Sequence, residues 1–93
     1  MKNKITHEKM KKYKNLTNEA LEIAKNSIIK GKEKQATEII EMVSNYLKDS
    51  EYFKEKNDFV NSFAALNYAH GWLDSGVRLE IFKVKDNKLF TVK

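Results

Sequence analysis

The chain has 93 residues, no proline, no cysteine and a formal net charge of +5, which makes it one small domain spanning 1–93 with no linker to divide it. The lack of cysteine excludes disulfides, thiolate metal sites and a thiol nucleophile, and no apolar run approaches the roughly 18 residues that a membrane span needs. Hydrophobic residues at 41% and charged residues at 33% are ordinary for a globular chain, and the basic N-terminus lacks the apolar centre of a secretory signal, so a cytoplasmic monomer or small oligomer with no membrane partner is expected.

Charge is unevenly spread. Residues 1–34 hold ten lysines against four acids, and six of those lysines (Lys2, Lys4, Lys9, Lys11, Lys12, Lys14) fall within the first fourteen positions. Such a segment is either a solvated helix face or an electrostatic arm for nucleic acid or an acidic partner. Arg78 is the only arginine, and the lysine bias weakens the nucleic-acid reading, because specific phosphate and base recognition favours the guanidinium fork.

In chain order, the spacing predicts a first helix from Thr6 to about Lys30. Met10, Tyr13, Thr17, Ala20, Ala24 and Ile28 form its inner stripe, widened by Leu16, Leu21 and Ile23. Thr6 suits the N-cap, and Gly31 stands where a left-handed C-terminal cap is wanted. A second helix is expected over about 34–56, with Ala36, Ile39, Ile40, Val43, Tyr46, Leu47, Ser50 and Phe53 facing inward. It should close at Asn57 in the left-handed conformation, with Asp58 capping the next helix; so short a break forces an antiparallel turn.

The third helix, about 58–80, carries two apolar strips. Phe59, Phe63, Leu66, His70, Leu73, Val77 and Ile81 make one seam, and Ala65, Tyr68, Ala69, Trp72, Gly76 and Leu79 make the other. Such a helix should pack on two sides, either between both partners of a bundle or against a second chain. Gly71 and Gly76 each cost about 1 kcal/mol relative to alanine inside a helix, so each needs a compensating reason. The remaining segment, 81–93, changes character: Val84 and Leu89 flank Asp86-Asn87, a pair suited to a hairpin turn, so a hairpin-like or extended tail is expected.

The run Tyr46-Leu47-Lys48-Asp49-Ser50-Glu51-Tyr52-Phe53, then Asn57-Asp58-Phe59-Val60-Asn61-Ser62-Phe63-Ala64-Ala65-Leu66-Asn67, then Tyr68-Ala69-His70-Gly71-Trp72-Leu73-Asp74-Ser75-Gly76-Val77-Arg78-Leu79, resembles the archaeal domain-of-unknown-function family numbered 357. The resemblance covers roughly residues 40–82. It implies a three-helix up-and-down bundle and an archaeal source, and it carries no established activity or catalytic residue. Ser50 and Ser75 stand where the family pattern leads one to expect alanine, and Glu80 where it leads one to expect glycine.

Asn67, Gly71, Asp74 and Arg78 follow at i, i+4, i+7 and i+11 on one helix face. Gly71 can open a shallow notch there, flanked by an amide, a carboxylate and a guanidinium; with the neighbouring His70 and Trp72 these six are the candidate binding residues. His70 with Asp74 at i+4 is also half of an acid–base or metal arrangement, with Asp49 as a further carboxylate, but no third ligand is evident. Tyr46, Tyr52, Phe53, Tyr68 and Trp72 are either core or a stacking platform for bases, and helical spacing favours core. There is no phosphate loop, dinucleotide glycine pattern or nucleophile elbow, so no catalytic residue, metal or cofactor is expected.

The sequence therefore predicts an all-α, three-helix antiparallel bundle. Its expected role is a non-enzymatic interaction module that docks a protein partner onto the third helix and the basic first helix, or pairs with a second copy of itself. The alternative is nucleic-acid binding through Lys9, Lys11, Lys12 and Lys14; a small hydrolase or metal protein using His70 and Asp74 comes third.

Overall fold

The computed structural model describes residues 6–85 and 89–90, and in them the chain forms three helices, α1 (His7–Lys25), α2 (Glu33–Glu55) and α3 (Phe59–Arg78). The fold is the expected all-α bundle, with α3 packed on both other helices. Side-chain pairs give the directions. His7 meets Phe59, Tyr13 meets Phe63 and Thr17 meets His70, so α1 and α3 run parallel. Ser50 meets Ser62 and Tyr46 meets Tyr68, so α2 runs antiparallel to α3.

The caps follow the local sequence. The Thr6 hydroxyl accepts from the Lys9 N–H at 3.0 Å, and Asp58 Oδ1 accepts from the Asn61 N–H at 3.1 Å. At the end of α2, Asn57 takes φ 60°, its N–H donates to the Lys54 carbonyl at 3.0 Å, and the Asp58 N–H donates to the Phe53 carbonyl at 2.8 Å. That pair of bonds is a Schellman closure, and asparagine tolerates the left-handed backbone it demands.

The first helix stops five residues short of the expected Lys30. Its C-cap is Asn26, whose side-chain amide donates to the Glu22 carbonyl at 2.9 Å, while the Ser27 hydroxyl donates to the Ile23 carbonyl at 2.6 Å. These short polar side chains take up carbonyls that another turn of helix would have used. Beyond them Ile28 leaves the helical stripe and forms an isolated antiparallel bridge with Phe82. The Ile29 N–H donates to the Ile81 carbonyl at 2.9 Å and the Lys83 N–H to the Ser27 carbonyl at 2.8 Å. Gly31 does adopt a positive φ of 94°, but it serves the turn into α2 rather than capping α1.

The core is built from Ala20, Leu21 and Ala24 of α1, Ala36, Ile39 and Val43 of α2, and Ala69, Leu73 and Val77 of α3. Ile81, Phe82, Leu89 and Phe90, from beyond α3, complete it. The second strip of α3 divides: Ala65, Ala69 and Gly76 are buried and let α2 approach closely, whereas Tyr68, Trp72 and Leu79 stay exposed. The tail beyond α3 is tied down by its apolar residues; the expected hairpin turn at Asp86-Asn87 lies outside the described residues.

Candidate functional site

Two groups of side chains emerge from the six candidate binding residues. Asn67, Gly71 and Trp72 look outward, lining a shallow depression with Tyr68 and Ser75. A Cβ built on Gly71 would meet nothing within 4 Å, so the notch is open and nothing inside the chain requires glycine there. Arg78 is exposed one turn beyond Asp74, outside that depression.

His70 and Asp74 turn instead toward α1 and the tail. His70 Nε2 lies 2.5 Å from the Leu89 carbonyl oxygen, and Nδ1 lies 3.3 Å from Thr17 Oγ1. A carbonyl only accepts, so the proton must sit on Nε2. The Asp74 carboxylate is 4.0 Å from that same nitrogen, and the Tyr13 ring lies 5.7 Å from the imidazole. Burial, and secondarily the Asp74 carboxylate, raise the pKa of Tyr13 above its ordinary 10.0. Nδ1 faces the Thr17 hydroxyl, which itself donates to the Tyr13 carbonyl at 2.9 Å, so both imidazole nitrogens point into the fold rather than toward an approaching substrate. Asp49 lies exposed on α2, and among the described residues no group of three or more His, Asp or Glu side chains could hold a metal ion. The arrangement fastens the tail to α1 and α3.

A different feature lies between α2 and α3, where the exposed strip of α3 borders a groove of about 530 Å³. Its floor is apolar, from Ile39, Met42, Trp72, Leu79 and Ile81, and Glu38 and Glu41 stand on its α2 rim. Tyr68, 61% exposed, continues the strip by stacking on Tyr46 with ring centroids 5.5 Å apart. The aromatics expected in the core therefore divide as well: Tyr52, Tyr68 and Trp72 are exposed, and Tyr46 and Phe53 are half-buried. Helical spacing places residues on a strip but does not reveal whether another element of the chain covers it.

The four candidate nucleic-acid lysines do not share a face. At about 100° per residue, Lys11 and Lys14 point to one side of α1, toward a cleft with α2, and both line that cleft. Lys9 and Lys12 point to the other side, where the Lys9 ammonium sits 5.8 Å from the centroid of the Phe63 ring. Lys14 contacts the Glu51 carboxylate. Lys54 was not among the expected residues, yet it joins Lys11 and Lys14 across the cleft; its place on α2, forty residues beyond Lys14, gave no local signal.

Fold and surface together define a small helical-bundle protein with an apolar groove, a cationic cleft and no helix among the described residues long and apolar enough to cross a membrane. The chain belongs to the family described as protein of unknown function DUF357, whose model matches residues 12–82. No curated protein and no solved structure matches it.

Proposed function

We propose that the protein is a non-enzymatic interaction module whose working face is the α2–α3 groove and whose occupant is an amphipathic helix of a partner protein, flanked by basic residues. The observation that carries this reading is the pairing of an apolar floor, centred on Trp72 and Leu79, with the acidic rim of Glu38 and Glu41. Trp72 is 38% exposed and Leu79 68%, side chains whose burial is worth roughly 1.5–3 kcal/mol each. Gly71 beside them lets a partner backbone come close. An apolar helix face would cover the floor, and lysines or arginines beside it would meet the two carboxylates.

Trp72 is the only tryptophan, so its fluorescence reports on the groove. The test is titration with a synthetic peptide of about five helical turns, leucine on one face and lysine on the other, against the same peptide with glutamate for lysine. Saturable quenching or a blue shift by the lysine peptide alone, abolished by Met42→Glu and by Leu79→Glu, supports the reading. An equal response to both peptides, or none, defeats it. A concentration-dependent dimer in light scattering that the same two substitutions dissociate would assign the groove to a second copy instead.

Nucleic-acid binding by α1 draws less support, because Lys9 and Lys12 point away from Lys11 and Lys14 and a strand cannot follow both pairs along one track.

A further inference from the structure

The cleft between α1 and α2 is a different kind of surface from the groove and shares no residue with it. α1 rests mainly on α3, through the stripe of Met10, Thr17, Ala20 and Ala24. Toward α2 it presents a second, polar stripe: Lys11, Lys14, Asn15 and Asn18, at i, i+3, i+4 and i+7. From α2, Glu51 and Lys54 face the same space, a cleft of about 470 Å³. Its bottom is closed by Met10 and Leu66, which are 5% and 1% exposed. An inter-helix space in a bundle this small is normally filled with apolar side chains. Here amides and ammoniums line it.

The charges in the cleft do not balance. Three ammoniums face one carboxylate, an excess of two positive charges. Lys14 contacts Glu51, yet burial, and then the nearby Lys54, still lower its pKa from the ordinary 10.5. Folding has brought Lys14 and Lys54 together in a partly desolvated place with half the counter-charge they need. The charge deficit matches a phosphate monoester, which carries about −1.5 to −2 near neutral pH. Its shape matches too: terminal oxygens on a tetrahedron can meet donors from two facing helices at once, whereas a carboxylate offers two oxygens in one plane.

We propose that the α1–α2 cleft is a binding site for a phosphate or diphosphate group carried by a small molecule, held by Lys11, Lys14 and Lys54, with the amide groups of Asn15 and Asn18 as additional donors. Lys14 then divides its hydrogen bonds between Glu51 and the ligand. The bound anion draws α1 toward α2, the two helices that touch least, so occupancy stabilises the bundle. A polyanion such as nucleic acid fits less well, because the cleft is bounded and Lys9 and Lys12 lie on the far side of α1.

The test is isothermal titration and thermal unfolding with inorganic phosphate and with pyrophosphate, at constant ionic strength maintained by chloride. Saturable binding and a raised unfolding temperature are expected. Lys14→Gln and Lys54→Gln should each weaken pyrophosphate binding about tenfold or more. Lys12→Gln, on the opposite side of α1, should leave it unchanged, and Glu51→Gln should tighten it by removing the competing carboxylate. Helical circular dichroism confirms that each variant is folded. An unfolding temperature that follows ionic strength alone overturns the proposal, and so does an equal loss in the Lys12→Gln variant. Tighter binding of a single-stranded oligonucleotide without terminal phosphates, sensitive to Lys9 and Lys12, would overturn it in favour of a polyanion surface.

Discussion

Gly76 and Phe82 are fitted to each other: a Cβ on Gly76 would stand 2.5 Å from Cε2 and 2.6 Å from Cδ2 of the Phe82 ring. The ring is 1% exposed, and Ile39 Cδ1 lies 3.2 Å from the same point, so neither neighbour can move aside cheaply. The missing methyl lets the tail fold back under α3 and puts the largest fully buried side chain into the core.

Gly76→Ala and Gly71→Ala should therefore have opposite signs, although both glycines sit inside one helix. At position 76 overpacking costs roughly 1–3 kcal/mol, which outweighs the helix propensity gained. At position 71 the space is open, and alanine should add up to about 1 kcal/mol. Urea denaturation of the two variants measures both. Gly71→Ala should also weaken the lysine peptide's effect on Trp72 fluorescence while the fold becomes more stable, separating binding from stability.

The closure of α3 supplies a second prediction. Glu80 has φ 61°, the Glu80 N–H donates to the Val77 carbonyl at 3.1 Å, and the Ile81 N–H donates to the Gly76 carbonyl at 2.8 Å. This is the same Schellman geometry as at Asn57, with a residue that resists the left-handed backbone. Glu80→Gly should stabilise the protein by about 0.5–1 kcal/mol, read as a higher urea midpoint with an unchanged slope.

Ser50 and Ser62 hold α2 against α3 by exchanging bonds. The Ser50 hydroxyl donates to the Ser62 carbonyl at 2.9 Å, the Ser62 hydroxyl donates to the Ser50 carbonyl at 2.7 Å, and both side chains are buried. Each single change to alanine should cost about 1 kcal/mol. Each hydroxyl gives its proton to the other residue's carbonyl, so either single change leaves the second bond in place and the double change should cost about the sum of the two. A double-mutant cycle in denaturant measures this, and a double variant no less stable than either single one would contradict two separate bonds.

Tyr13 makes an alkaline prediction. Its pKa is raised in the fold above the ordinary 10.0, by burial first and Asp74 second. Above pH 10 the unfolded chain therefore loses this proton before the folded one does. Its contribution to stability is complete below pH 10 and is lost as pH rises through the folded value. Above pH 10 the urea midpoint of the wild type should fall more steeply than that of Tyr13→Phe.

Three helices, both strips of α3 and the caps at Thr6, Asn57 and Asp58 were all legible in the sequence, because each depends on residues a few positions apart. The end of α1 was not. The apolar period runs on through Ile28, and only backbone from a segment more than fifty residues later, Ile81 to Lys83, draws Ile28 and Ile29 out of the helix. Phe82 carried no local signal for the same reason, since its partner is an absence of side chain at Gly76. At the surface, helical spacing favoured the core for Trp72, which the fold leaves exposed, while His70, placed in the apolar seam, does face inward and meets Thr17 and Leu89. Lys54 could join Lys11 and Lys14 only once α2 lay beside α1.

The lane of Ala65, Ala69 and Gly76 has a kinetic meaning too. It lets α2 and α3 associate intimately across a turn of three residues, 56–58, so their contacts close at little loop entropy. α1 must wait for that hairpin before it has a surface to lie on, and the clasp of Ile28 on Phe82 can form only after both ends have arrived. The amides of α2 and α3 that face each other should exchange with solvent last, and those of α1 should open first, which makes the first helix the part of the molecule that a ligand in its cleft can most readily quieten.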